Sequence, residues 1–385
     1  LKGWNPKIAS EATIWHNYNY KTKKDIPYRT PNNFQNPILD DNSVEELNKI
    51  LFAKDPSYVR SLHDLENFLG FEFKKPPIQN VSNPTIFVSI ASFKDYEIKH
   101  TILDCINKAS SPENLYFGVC MQYDNSTPNT SENILDDLVQ KYNIKLSKFN
   151  WTESEGGCWA RNISQQFYNG EKYSLQVDAH TRFLQNWDKI IIQEFNELLN
   201  KSPNPLISFL PPGYRRDDDK GIDYEFAHLN NPTVLNVPTF RRLTDQYWPV
   251  YGGYQDERST NGVNQNVSLL YGGFIFSWGK WVQEIEQDPE HYYTGEEFAL
   301  ALRSYTSGYD IYLPTKILAW HRIHPETPAK HINTFKNHHE KHTVAVNRLK
   351  MLVEQNGDLG KYNFGILILG EFDFVFTFIC VLLII

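Results

Sequence analysis

The sequence predicts an α/β fold built on a mostly parallel central sheet, with a helical appendage at its N-terminal end. Three observations carry this. From Thr85 onward, short apolar runs alternate with segments of helical periodicity, the pattern of strands joined by crossover helices. Residues 1–80 lack that alternation and are polar and rich in Asn, Tyr and Lys before two helical patterns emerge. Between them, KKPPIQNVSNP (residues 74–84) has the proline and polar content of a linker.

In the appendage, Val44, Leu47, Ile50 and Leu51 recur at helical spacing behind Asp41-Asn42-Ser43, a capping sequence, and SYVRSLHDLENFLGF predicts a second helix. TIFVSIAS is then the first strand, DYEIKHTILDCINKA a helix, NLYFGVCMQYD a strand, SENILDDLVQKY a helix and IKLSKFNW a strand. GGCWARNISQQFYNG reads as a helix entered through glycines, YSLQVDAH as the next strand, WDKIIIQEFNELLNK as an amphipathic helix and PLISFLPPGY as a strand ended by prolines. Residues 213–266 are charged, Gly/Pro-rich and weakly periodic, which predicts loops bordering a cleft. Clear periodicity returns in LLYGGFIFSWGKWVQEI, YYTGEEFALALRSYTSGYDIYLP and TKILAWHRIHP. The expected organisation is an appendage over 1–80, a catalytic domain over 81–345, and a C-terminal helix with a hydrophobic tail over 346–385.

At 385 residues the chain is long enough for a substantial core. Its 14% aromatic content suits sugar binding as well as core packing. A net charge of −8 argues against a general nucleic-acid binder. Cys105, Cys120, Cys158 and Cys380 show no CxxC spacing and no disulfide framework, which points to a reducing compartment. Asn-X-Ser/Thr sequons begin at Asn80, Asn125, Asn129, Asn150, Asn162 and Asn266; a glycan on Asn162 would crowd the site described next, which disfavours a secretory lumen. No signal peptide is visible in a sequence that starts at Leu1. The cysteine and sequon readings predict a cytoplasmic location. Residues 364–385 are long enough to cross a bilayer and give the alternative, membrane association; Glu371 and Asp373 within them, at about 2.5–3.5 kcal/mol each near a bilayer centre, favour a buried or interfacial segment.

The densest chemical signal is QVDAH, where an apolar strand stops at Asp178-Ala179-His180. Side chains alternate along a strand, so Asp178 and His180 point the same way from its end and can converge on one cation. One carboxylate with imidazole suits Mn²⁺, with Mg²⁺ as the alternative, better than a thiolate zinc site. The competing structural reading makes Asp178 a turn cap and His180 a backbone hydrogen-bonding partner. Glu296 and Glu297 open the helix of YTGEEFALALR, where carboxylates also serve simply to complement the helix dipole. Gly156-Gly157 is weak evidence for a phosphate cradle, and Trp278 reads as a core aromatic. The NHHEKH cluster (His338, His339, Glu340, His342) raises a metal-binding hydrolase as a second class, but it lacks HExxH spacing and reads better as a solvated helix face.

SIASFKD, GGCWARN, QVDAH, YGGFIFSWG, YTGEEFALALR and LAWHRIHP occur in that order between Thr85 and Pro325. In this ordered set the chain resembles the cytoplasmic N-acetylglucosaminyltransferases that modify hydroxyproline of Skp1 and, more distantly, the mucin-type peptide N-acetylgalactosaminyltransferases. The resemblance implies a GT-A nucleotide-sugar fold and retaining transfer of N-acetylglucosamine from UDP-GlcNAc to a protein acceptor, Skp1-like or another hydroxyproline protein. It implies His321 as third metal ligand beside Asp178 and His180, with His324 competing. It also implies Ser89, Ala91, Ser92 and Asp95 at the uridine side, Arg161 facing the diphosphate or ordering the DxH strand, and Gly272 and Gly273 at a close approach to donor. Glu296 and Glu297 would border donor sugar and acceptor, the latter orienting a reacting hydroxyl. Another sugar, a glycan acceptor, or a non-catalytic carbohydrate-binding role are the remaining alternatives.

Overall fold

The computed structural model describes residues 84–363 except 218–219, 221, 238, 244–248, 253–256, 293–294, 323–336 and 355–358. The expected N-terminal arm, His324 and the hydrophobic tail lie outside the described residues.

The chain alternates as expected through its first half: β1 (Ile86–Phe93), α1 (Ile98–Lys108), β2 (Leu115–Tyr123), α2 (Asp136–Lys141), β3 (Ile144–Asn150), α3 (Gly157–Gln165) and β4 (Tyr173–Asp178). After the short β5 (Thr181–Phe183) come α4 (Trp187–Leu198) and β6 (Pro205–Ser208). Residues 213–266 then depart from the expectation of loops. They form β7 (Gly213–Asp217), β8 (Ile222–Phe226), β9 (Val234–Asn236), β10 (Thr239–Leu243), β11 (Pro249–Gly252) and β12 (Glu257–Ser259). The chain continues with β13 (Phe274–Trp278), α5 (Trp281–Glu284), α6 (Glu296–Thr306), β14 (Asp310–Tyr312), β15 (Ala319–Arg322) and α7 (His338–Glu354).

Seven strands form the central sheet in the order β14-β6-β13-β4-β1-β2-β3. Strands β1 to β4 pair in parallel, and β13 runs antiparallel between β4 and β6. Period-2 alternation explains why these strands read as continuous apolar runs: both faces are covered. Ile86, Val88 and Ile90 of β1 pack into one core with Ile102 and Ile106 of α1 and Trp187, Ile191 and Phe195 of α4. Phe87 faces the other way, into a second core with Trp281, Phe298, Leu302, Leu349 and Leu352 from α5, α6 and α7. Trp278 is a core aromatic, stacked on Tyr173 with ring centroids 5.6 Å apart.

A smaller sheet, ordered β5-β15-β7-β8, stands beside the end of β4. Its strands β7 and β8 escape pattern reading because ionised side chains occupy positions where apolar residues are expected. Tyr214 and Phe226 stack inward at 5.7 Å, but the buried Arg182 bonds Asp223 at 2.6 Å on the same sheet.

Candidate active site

β4 places Asp178 by continuing the row Ser174, Gln176, Asp178 on the sheet face that α3 and α6 cover. β1 ends alongside, with Ala91 in register with Asp178. Both strands are parallel members of the sheet, so the residues that follow them gather outside their carboxyl ends, where open α/β sheets bind ligands.

Three side chains converge there. His180 Nε2 lies 2.7 Å from His321 Nε2, and His321 Nε2 lies 3.4 Å from Asp178 Oδ2. These donor atoms all fall within 4.8 Å of one another, and this is the group among the described residues that could hold a metal ion. Local backbone fixes both histidines. β15 pairs antiparallel with β5, setting His321 opposite Thr181, and the Arg322 N–H donates to the His180 carbonyl at 3.0 Å.

The surroundings hold Asp178 and His321 in the deprotonated forms that ligate, while His180 is oriented by a carboxylate partner. Asp95, in the loop after β1, contacts His180 Nδ1 at 2.7 Å, which leaves Nε2 turned toward His321. A carboxylate behind an imidazole is the usual outer partner of a metal-binding histidine. Burial works against a charged His180, but the Asp95 carboxylate outweighs it and moves the imidazole above its usual range. Burial and the neighbouring His180 hold His321 below its usual range. Burial disfavours ionised Asp178, yet hydrogen bonding to His321 and the charge of Arg161 hold it far below the ordinary carboxylate range. Two imidazoles and one ionised carboxylate within bonding reach of a common point fit a divalent cation that keeps further positions for oxygen ligands.

Arg161 on α3 forms a bridge: Nη2 donates to Asp178 Oδ1 at 2.7 Å and Nη1 donates to Glu296 on α6. It therefore ties Asp178, at the end of β4, to the start of α6. The bridge rests on buried amides, for Gln287 Nε2 donates to both Gln176 and Glu296 at 3.2 Å. Gly272 and Gly273 make this closeness attainable. A Cβ on Gly272 would lie 2.8 Å from Arg161 Nη1 and 3.1 Å from Glu296 Oε1, and one on Gly273 would strike the Asp178 carboxylate.

Glu297 points to a different partner, accepting from the Gly272 N–H at 2.9 Å. Burial pushes its carboxyl up to about 7, with the negative charge of Glu296 adding to the shift. Tyr271 completes this edge by donating its hydroxyl to Asp178 Oδ2 at 3.3 Å.

Asp178, His180, His321, Asp95, Arg161, Glu296, Glu297, Gly272 and Gly273 thus lie in one connected neighbourhood. Ser89 lies apart, buried with its hydroxyl 2.7 Å from that of Ser164, and Ser92 is also buried. Ala91 is half-buried at the strand end. The Asn162 side-chain amide donates to the Gln287 carbonyl at 2.7 Å. His338, His339 and His342 belong to no metal-capable group among the described residues. Sequence reading missed Tyr271, Gln176 and Gln287, which support the site; the tyrosine stands directly before the glycine pair, a signal that was available.

A family model described as glycosyltransferase (GlcNAc) matches residues 85–142 and 133–363. Among solved structures, the chain is similar to GalNAc-T7 with UDP, GalNAc and Mn²⁺, at 14% identity and a TM-score of 0.50, covering 72% of this chain and 52% of that one. It is also similar to residues 1–349 of S. aureus TarS in complex with UDP-GlcNAc, at 14% identity and a TM-score of 0.41, covering 72% and 68%. The chain spans about half the length of GalNAc-T7 (52%), and the shared feature is the GT-A fold. Comparison with curated proteins gives no match. Since the matched segments run from β1 to beyond α7 and enclose every strand of the central sheet and every side chain of the site, the chain belongs to the GlcNAc glycosyltransferase family.

Proposed function

We propose that the protein transfers N-acetylglucosamine from UDP-GlcNAc to a protein hydroxyl, that of hydroxyproline, in a retaining, divalent-metal-dependent reaction. The observation that carries this reading is the convergence of Asp178, His180 and His321 at the carboxyl end of the parallel sheet. A cation such as Mn²⁺ held there supplies Lewis-acid stabilisation of the departing diphosphate. Asp95 and Arg161 hold the ligand side chains in place. Ala91 and Asp95, near and beyond the end of β1, face the uridine side of the donor, with Ser89 and Ser92 buried beneath as small residues that permit its close approach, and Gly272 and Gly273 let Arg161 and Asp178 pack tightly beside it. Glu297, protonated in part at neutral pH, orients a hydroxyl of sugar or acceptor.

The test is a panel of UDP-sugars incubated with matched proline and hydroxyproline peptides, with products identified by mass spectrometry. UDP-GlcNAc with the hydroxyproline peptide is expected to give product, chelation to abolish it and Mn²⁺ to restore it. Asp178→Asn is expected to weaken metal and donor binding together and to lower turnover by several kcal/mol of barrier, of order 3. Equal product from both peptides sinks the hydroxyproline assignment, and full turnover in EDTA sinks metal dependence.

A further inference from the structure

Glu97 is 1% exposed and opens α1, two residues after Asp95. Its carboxylate is the meeting point of three arginines and a tyrosine. Arg182 Nη2 and the Tyr214 hydroxyl, at 3.2 Å, donate to Oε2. Arg322 Nη1, at 2.9 Å, donates to Oε1, and Arg216 Nε lies 3.3 Å from the same atom. Asp223 shares the load, accepting from Arg182 Nε at 2.6 Å and lying 3.5 Å from Arg216. A buried carboxylate so completely paired is costly to disturb, because the guanidiniums around it are left buried with less compensating charge.

The addresses of these partners are the telling feature. Arg182 is two residues beyond His180 on β5, and Arg322 directly follows His321 on β15. The Glu97 N–H donates to Asp95 Oδ1 at 2.9 Å, while Asp95 Oδ2 contacts His180. One side chain thereby ties together the three separate segments that carry Asp95, His180 and His321. A further strand, β7, joins through Tyr214 and Arg216.

We propose that Glu97 is a positioning residue that sets the separation of the two metal-ligating histidines, acting through Arg182 and Arg322 without touching the ion. The proposal rests on the metal-dependent reading above. The guanidinium of Arg322 matters here, since its Nη1 reaches Glu97 while its central carbon lies over the Tyr96 ring at 4.8 Å, an arrangement that an ammonium does not reproduce.

The test measures Mn²⁺ affinity of metal-stripped protein by calorimetry, and the Mn²⁺ paramagnetic resonance spectrum, for wild type, Glu97→Gln, Arg322→Lys and the double variant. Leu198→Ala, in the core under α4, serves as a destabilised control remote from the site. Thermal unfolding in EDTA ranks the stabilities of all five proteins. Each single variant is expected to lose at least tenfold in Mn²⁺ affinity, the double variant to lose no more than the weaker single, and the control to keep wild-type affinity. Should Glu97→Gln fail to fold, Arg322→Lys, which keeps the charge, decides alone. Folded variants with wild-type affinity, or losses matched by the control, overturn the assignment of Glu97 while leaving the metal reading intact. Absence of Mn²⁺ binding by the wild type overturns both.

Discussion

Glu296 and Glu297 are neighbours on one helical turn and meet opposite surroundings. Glu296 is locked to Arg161, whereas Glu297 has the Gly272 N–H and a buried setting that pushes it up to about 7. The sign of the resulting pH dependence follows directly. Its folded value lies above the ordinary 4.5, so the folded state holds the proton more tightly than the unfolded chain. This contribution to stability is complete below about 4.5 and is lost as pH rises through about 7. Urea unfolding at pH 5 and pH 8 is therefore expected to show a larger loss for wild type than for Glu297→Gln, and equal losses would remove the shift. The same variant is expected to bind Mn²⁺ and UDP like wild type and to lose at least tenfold in single-turnover rate, about 1.4 kcal/mol of barrier. An unchanged rate returns Glu297 to a helix-start role.

At the level of elements, α6 matters because it delivers both glutamates, and it starts from Gly295 at φ +77°. A side chain in that left-handed conformation costs about 1–2 kcal/mol. Gly262, at φ +75° with open space around it, imposes the same backbone demand far from α6 in sequence. Ala substitution at either position is expected to lower stability by about that amount in urea titrations. Only Gly295→Ala is expected to reduce turnover as well; equal turnover in both would detach helix placement from activity. The sequence revealed those elements whose chemistry is local. β4 was legible because an apolar run ends on Asp178 and His180, and α6 because its periodicity follows a glycine. β7 and β8 were not, because Arg216 and Asp223, paired with Glu97 and Arg182 on distant segments, stand where alternating apolar residues would announce a sheet. Glu97 was equally invisible: an acid near a helix start reads as solvated, and its partners Arg182 and Arg322 lie 85 and 225 residues away. Ser89, which the resemblance implies at the uridine side, bonds through its hydroxyl to Ser164 on α3, a pairing between segments that no local window contains.

At the scale of the whole molecule, two of the four sheets among the described residues meet at the site, the central one where β4 ends in Asp178 and the smaller one through His321 on β15. Among the described residues no helix is long and apolar enough to cross a membrane. An ion bound across the two sheets binds the folded state alone, so Mn²⁺ at a hundred times its dissociation constant is expected to stabilise the fold by about 2.7 kcal/mol. Scanning calorimetry should register this as an upward shift in Tm of a few degrees, absent in Asp178→Asn; a Tm indifferent to Mn²⁺ in the wild type would remove the ion from the fold. The 141-residue separation of His180 from His321 also orders events in time. At about 5–20 residues per second, a ribosome takes roughly 7–30 s to travel between the two codons. For that interval the nascent chain offers Asp178 and His180 without their third partner, while β1 to β4 and α1 to α3 are already synthesised. On the metal-dependent reading, selection among competing divalent cations therefore falls late, to a chain whose scaffold has been made, rather than to the emerging polypeptide.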